Sequence, residues 1–121
     1  MAAWTTDELD ALDHANEVRV AGRRKDGTTR TLTIIWHVVV DGVLYARSVR
    51  GPEGQWYRGV SHHHEGVIAW ADETRDVRFT RDADHDAQID AAYAAKYGNG
   101  EATRRITSEI AKQTTLRIDP R

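Results

Sequence analysis

The sequence predicts an α+β fold in which about five or six short, mostly antiparallel strands curl into a small β-barrel with flanking helices. Strand-like segments follow one another through short turns, which favours a meander sheet. Helical patterns lie near both ends of the chain and once between the third and fourth strands. Asp41-Gly42 joins the two most strand-like segments as a tight hairpin, because glycine adopts a positive φ at no steric cost.

Composition narrows the class of protein. A length of 121 residues predicts one domain over residues 1–121, and 40% hydrophobic with 30% charged residues is a globular composition. The net charge of −2, with both signs interspersed, argues against nucleic-acid binding. No apolar run is long enough to predict a membrane span, and the acidic N-terminus lacks the layout of a secretory signal. The absence of cysteine excludes disulfides and thiolate metal sites, and we expect a cytoplasmic protein.

The N-terminal region predicts a helix followed by the first strand. Residues 5–15 form the helix, because Thr5 and Glu8 have the spacing of a capping box. Residues 16–22 alternate between apolar and polar side chains, which predicts a strand.

The central hairpin joins predicted strands over residues 31–40 and 43–49, and its register has two solutions. A two-residue loop pairs Trp36 with Arg47 and places a cation over an indole face. A three-residue loop with a bulge pairs Trp36 with Ala46 and gives a cleaner apolar face. Since a slip of one residue changes which side chains share a face, the two registers predict different sites.

The remaining elements follow from periodicity and caps. They are a helix from Gln55 to about Glu65, antiparallel strands over Gly66–Ala71 and Thr74–Thr80, a helix over Asp86–Tyr97 closed by Gly98, a short helix carrying Ile106 and Ile110, and a last strand over Thr114–Ile118.

Over most of its length, from about Leu9 to Arg121, the chain resembles the bacterial family DUF2255. The elements that carry the resemblance are Ile35-Trp36, Tyr45-x-Arg47-Ser48, Gly51 with Trp56-Tyr57-Arg58, Arg75-Asp76-Val77 and the helix from Ala91 to Gly98. The resemblance implies the FMN-binding split-barrel superfamily, which includes proteins like pyridoxamine-phosphate oxidase and the deazaflavin-dependent nitroreductases. Split barrels are usually homodimers with a cofactor groove at the subunit interface, so the resemblance implies a homodimer that binds FMN or the deazaflavin coenzyme F420.

One stretch of the chain combines the groups that such a cofactor needs. A phosphate needs cationic and hydroxyl donors, and a flat ring needs an apolar wall with a few hydrogen bonds. We expect the phosphate near the end of the second hairpin strand, where basic residues, a serine and a helix start converge, with charge added by the basic turn at residues 23–25. The candidate cofactor-binding residues are Trp36, Arg47, Ser48, Arg50, Gly51, Trp56, Tyr57 and Arg58.

Two functions remain open at this point. The first is a flavin- or deazaflavin-dependent oxidoreductase, for which the sequence names no catalytic residue. The second is a non-enzymatic module that binds another small ligand in the same groove, which is favoured by the absence of lysine from the central strands. Metal binding is disfavoured: consecutive histidines at positions 62–64 point in different directions on a helix, and the acids near Asp82 suit a helix N-terminus.

Overall fold

A computed structural model describes residues 3–121. Seven antiparallel strands form one sheet in the order β2-β1-β5-β6-β7-β4-β3, curled into a nearly closed barrel with five α-helices around it. This confirms the predicted α+β split barrel. The elements are α1 (Thr6–His14), β1 (Val18–Gly22), β2 (Thr33–Ile35), β3 (His37–Val40), β4 (Val43–Ala46), a 3-10 turn (Gly51–Glu53), α2 (Gln55–Ser61), β5 (Glu65–Trp70), β6 (Glu73–Arg81), α3 (Asp86–Tyr97), α4 (Glu101–Ile106), α5 (Glu109–Lys112) and β7 (Leu116–Pro120).

The one open seam of the barrel lies at Trp36. The sequence predicted an unbroken strand over residues 31–40, but the strand is interrupted at Trp36. The part before it, β2, pairs with β1, and the part after it, β3, pairs with β4. Because the segment changes partner at this residue, the two outer strands of the sheet are adjacent along the chain without pairing to each other.

The hairpin adopts the two-residue register. His37 pairs with Ala46, and both Asp41 (φ 51°) and Gly42 (φ 79°) are left-handed, as a two-residue primed turn requires. This register continues toward a pairing of Trp36 with Arg47. The guanidinium of Arg47 was expected over the indole of Trp36 in this register. It packs instead on Tyr93, 5.8 Å from the centre of that ring.

Two apolar clusters occupy opposite faces of the hairpin, as strand alternation requires. Leu44 and Ala46 belong to the larger cluster, which joins β1, β5, β6 and β7 beneath α1 and α2. Val38 and Tyr45 belong to the smaller cluster, which is covered by α3 and α4. Full burial of a leucine or valine side chain, relative to leaving it exposed, contributes about 1.5–3 kcal/mol to stability. Together the clusters fix the hairpin between the barrel interior and the C-terminal helices.

The helix ends agree with the sequence in two places and differ in two. Thr5 and Glu8 form both hydrogen bonds of the capping box, and α3 has the predicted bounds. The helix predicted from Gln55 to about Glu65 is too long: α2 ends at Ser61, His64 has a positive φ of 58°, and Glu65 already begins β5. The single helix expected through Ile106 and Ile110 is wrong. It is two short helices, α4 and α5, because the side chain of Ser108 caps a new N-terminus.

Candidate functional site

A cleft of about 500 Å³ lies between β2, the segment after β4, the start of α2 and α4. Five of the eight candidate residues line it: Trp36, Arg47, Ser48, Arg50 and Trp56. The other lining residues are Thr33, Ile34, Ile35, Val49, Gly54, Gln55, Ala102, Arg105 and Ile106. The cleft therefore has the size and the largely apolar lining of a small-molecule site.

Arg47 is the largest fully buried side chain, and its guanidinium is bonded within the protein. Its Nη2 lies 3.0 Å from Asp86 Oδ1 and its Nη1 lies 2.5 Å from Asp90 Oδ1. Its Nε donates to Thr115 Oγ1 at 2.8 Å. A buried guanidinium requires such partners, because desolvation of an unpaired charge is costly. Arg47 therefore forms part of the cleft wall while its cationic head is neutralised by α3.

Ser48 lines the cleft and lies in a tightly packed turn. Its backbone N–H donates to Thr114 Oγ1 at 2.8 Å, and its carbonyl accepts from Gly51 N at 2.9 Å. Gly51 is buried with φ 66°, and a Cβ there would lie 2.9 Å from the carbonyl oxygen of Ile110. A Cβ on Gly54 would overlap Ser48 Oγ. Both glycines therefore leave room that a side chain would fill: Gly51 for the Ile110 backbone, and Gly54 for the Ser48 hydroxyl. Gly51 itself does not line the cleft.

The aromatic residues divide between the cleft and the surrounding core. Trp36 stacks on Tyr97, with ring centroids 4.0 Å apart and planes 4° apart. Trp56 packs on the larger apolar cluster and meets Tyr57 edge-to-face at 6.2 Å. Both tryptophans are partly exposed toward the cleft, whereas Tyr57 does not line it. Two flat apolar side chains therefore face the same space.

Arg58 lies outside the cleft, in a neighbouring cavity of about 420 Å³. This cavity is lined by Ala21, Gly22, Arg24, Arg30, Thr31, Thr33, Gln55, Trp56, Arg58, Gly59 and His62. Of the predicted basic turn, Arg23 pairs with Asp76 and only Arg24 reaches this cavity. Arg30 is a lining residue that sequence reasoning missed, although it stands directly before the hairpin strand.

A buried polar group lies on the other side of the hairpin. His37 Nε2 lies 2.5 Å from the carbonyl oxygen of Leu12, to which its N–H donates, and 3.1 Å from Lys96 Nζ. Burial first, and then the charge of Lys96, lower the pKa of His37 to about 4. Burial lowers the pKa of Lys96 to about 8. The neutral imidazole joins α1 to the barrel and takes no part in the cleft.

Residues 3–121 contain no cluster of three histidine, cysteine or carboxylate side chains placed to hold a metal ion. His64 has φ 58° and follows the end of α2, so the three histidines do not share one helical face. Asp82 instead accepts hydrogen bonds from Asp84 N and His85 Nδ1. Across the same residues, no helix combines the length and hydropathy needed to cross a bilayer.

Comparison with known proteins gives one sequence match and several structural ones. The sequence profile of a family described as "Uncharacterized protein conserved in bacteria (DUF2255)" matches residues 8–118. No curated protein sequence matches the chain.

The structural matches are remote in sequence. A conserved hypothetical protein from Mycobacterium tuberculosis superposes with a TM-score of 0.70 at 13% identity, over 99% of this chain and 82% of that chain. HutZ, the heme storage protein from Vibrio cholerae, gives 0.69 at 12% identity, over 100% of this chain and 92% of that chain. An F420 reductase gives 0.56 at 16% identity, over 93% and 91%. At these identities the similarity establishes a shared fold.

Proposed function

The chain belongs to the DUF2255 family, and on that premise we propose that it is a split-barrel protein whose cleft binds the flat ring of a flavin or deazaflavin, FMN or F420, as an oxidoreductase. The observation that carries the proposal is that Trp36 and Trp56, two of the candidate cofactor-binding residues, line one cleft together with Ser48 and Arg50. The similarity of the fold to an F420 reductase supports the same class of ligand.

The residues of the cleft fit the ring of such a cofactor. Ile34, Ile35 and Trp56 supply apolar surface for a planar ring system, and Trp36 is held rigid by its stack on Tyr97. Ser48 and Gln55 supply polar groups at the lining, which suits the few hydrogen bonds that orient a flavin ring. Arg50 is exposed at the rim, where it can approach an anionic substituent.

In this proposal the cofactor supplies hydride transfer and the protein supplies binding and exclusion of water. The lining contains no histidine, carboxylate, lysine, cysteine or tyrosine. The cleft therefore has no general acid or base of its own with a pKa near neutrality. Arg47 has a structural role in the cleft wall, since its cation is already paired with two carboxylates.

The same lack of titratable groups favours a second candidate, a non-enzymatic module that binds a flat ligand without chemistry. The oxidoreductase and the binding module would use the same cleft, and they differ in whether the bound ligand undergoes a reaction. A ligand that binds in the cleft but is not reduced or oxidised faster than in free solution would select the binding module.

The proposal includes a homodimer of one-domain subunits in the bacterial cytoplasm, as split barrels usually form. Exposed apolar side chains support a second copy near the cleft: Leu32, Ile34, Val49 and Ile110 are between 39% and 57% exposed. Ile34 and Val49 also line the cleft. Burial of Ile34 and Val49 by a partner subunit would narrow the opening of the cleft.

Titration of the purified protein with FMN and with F420 tests the proposal, with the fluorescence of each cofactor as the signal. We expect micromolar or tighter binding of one of them and a visible absorption band on protein purified from a host that makes both. The Trp56→Leu variant removes one wall and should weaken binding about tenfold, the equivalent of one aromatic contact. If folded protein binds neither cofactor, the proposed function is wrong.

A further inference from the structure

The cavity beside the cleft has an unusual charge composition. Its lining includes Arg24, Arg30, Arg58 and His62 but no aspartate or glutamate, and we therefore call this cavity the basic basin. The chain as a whole carries slightly more acidic than basic residues, 19 against 17. Concentration of cations without a single acid is therefore a local property of this cavity.

Arg30 and Arg58, two arginines of the basic basin, have no carboxylate partner within residues 3–121. Arg23 and Arg75 each form an ion pair with a carboxylate, as Arg47 does inside the fold. Two guanidinium groups that face one cavity without acidic partners create a positive potential there.

Arg30 is held in place by the barrel and still has an unused donor. Its backbone N–H donates to Gly22 O at 2.9 Å. Its side chain crosses Gly59 so closely that a Cβ on that glycine would lie 2.9 Å from Arg30 Cδ. The Nε of Arg30 is buried and has no hydrogen-bond partner. An unpartnered buried donor is unfavourable, and it shows that no acceptor within residues 3–121 binds this part of the guanidinium. The Arg30 side chain therefore lines the cavity without a competing acceptor from the protein.

The basic basin and the cleft share one boundary. Thr33, Gln55 and Trp56 line both cavities. A molecule with a flat ring in the cleft therefore reaches the basin by passing these three side chains. In the cleft, the Arg47 guanidinium is paired with Asp86 and Asp90, and Arg105 is paired with Glu101, which leaves Arg50 at the rim. The basin adds the guanidinium groups of Arg30 and Arg58 on the other side of this shared boundary.

We propose that the basic basin binds the phosphoryl group of the same ligand whose ring lies in the cleft, with Arg30 and Arg58 as its principal cationic donors. Guanidinium groups match the geometry of phosphate oxygens and form charge-assisted hydrogen bonds to them. This inference rests on the proposed function. It assigns the phosphoryl group to a cavity that Arg50 does not line, so Arg50 is left for another polar or anionic part of the ligand.

Ligand pairs with and without the phosphoryl group test the inference. FMN is compared with riboflavin, which differs from it by the phosphate alone, on the wild-type protein and on Arg30→Gln and Arg58→Gln. For F420 the comparison is with its deazaflavin chromophore, which lacks the phosphate together with the anionic tail attached to it. We expect the phosphorylated member to bind about tenfold or more tightly to the wild type, and the preference to fall to about twofold or less in Arg30→Gln. Arg78→Gln is the matched control, because Arg78 is exposed on β6 away from both cavities and should keep the full preference.

The outcomes separate this inference from the proposed function. Equal binding of both members of a pair to the wild type, or a preference that survives both basin variants, overturns the phosphoryl site and leaves the ring site standing. If neither FMN nor F420 binds, the proposal that one ligand occupies both cavities is wrong, and so is the proposed function. Calorimetric titration with inorganic pyrophosphate then decides whether the basin binds anions at all: binding that is lost in Arg30→Gln retains an anion site there, and no binding removes it. Circular dichroism of each variant confirms that it is folded.

Discussion

The guanidinium of Arg47 lies 2.5 Å from a carboxylate oxygen of Asp90, and this contact joins the end of the central hairpin to α3. Asp90 also contacts Lys112 Nζ at 3.2 Å, so the same carboxylate reaches α5. Arg47 is fully buried, whereas Asp90 is about a third exposed. The hairpin, α3 and α5 are therefore connected through one charged network at the back of the cleft.

We expect Arg47→Ala to lower the free energy of unfolding by about 3–5 kcal/mol, because it removes a buried pair and leaves a cavity. Asp90→Asn should cost less, about 1–3 kcal/mol, since Asp86 still pairs with the guanidinium. Urea denaturation followed by circular dichroism measures both values. Arg105→Ala is the control and should change stability by less than about 0.5 kcal/mol, because Arg105 and its partner Glu101 are exposed. A loss for Arg47→Ala as small as that of the control would show that the network contributes no stability.

The close contact between Ser48 and Gly54 predicts that substitutions at these two positions affect stability jointly. Gly54→Ala should destabilise the protein by about 1–3 kcal/mol, because its Cβ would overlap Ser48 Oγ in a packed turn. Gly54 has φ −62°, so the backbone accepts alanine and only the overlap opposes it. Ser48→Ala removes the overlapping oxygen, and the double variant should therefore recover part of the loss. A double-mutant cycle by urea denaturation measures the coupling, and additive losses would show that Ser48 is not the obstacle.

The local features of this fold follow from neighbouring residues and were predictable. The Thr5–Glu8 capping box, the positive φ at the Asp41-Gly42 turn and the bounds of α3 each depend on side chains within a few positions. The Trp36 interruption was not predictable, because it depends on which strands pair with the two halves of the segment. Periodicity alone favours an unbroken strand there.

The sequence indicated which candidate residues lie close together better than it indicated their contacts. Trp36, Ser48, Arg50 and Trp56 were placed together by the spacing of the hairpin and α2, and they line one cleft. The pairing of Arg47 with carboxylates of α3 involves residues about forty positions away, and no local pattern reports such contacts. Likewise, Arg30 enters the second cavity through the close approach of α2 to β1 at Gly22 and Gly59, which only the folded chain reveals.

The proposed homodimer predicts an effect of charge on the outer strand β2, which carries the exposed side chain of Ile34. Ile34 is 57% exposed on this strand. Ile34→Asp should convert a dimer to a monomer, because a carboxylate buried in an apolar interface is strongly unfavourable. Light scattering after gel filtration measures the mass. Thr74→Asp adds the same charge at an exposed position of β6 and should remain dimeric. A wild-type protein that is already monomeric at micromolar concentration would contradict the homodimer.

The buried imidazole of His37 predicts how stability depends on pH. Burial holds its pKa at about 4, below the ordinary value of 6.5, so between these values the unfolded chain binds a proton that the folded chain does not. Stability contributed by the neutral imidazole is therefore complete above about pH 6.5 and is lost as the pH falls toward 4. The expected slope is up to about 1.4 kcal/mol per pH unit.

The His37→Gln variant isolates this effect from the carboxylates that titrate in the same range. Glutamine keeps an N–H for the Leu12 carbonyl and does not titrate, so the variant should lose less stability than the wild type between pH 7 and pH 4. We expect the difference between the two proteins to change by about 2–3 kcal/mol over this interval, measured by urea denaturation at each pH. Lys96 remains charged throughout this interval, because its pKa is about 8, so it adds the same contribution to both curves. Parallel curves would mean that the folded protein accepts a proton on His37 without cost, and the buried contact with α1 would then have to open to solvent.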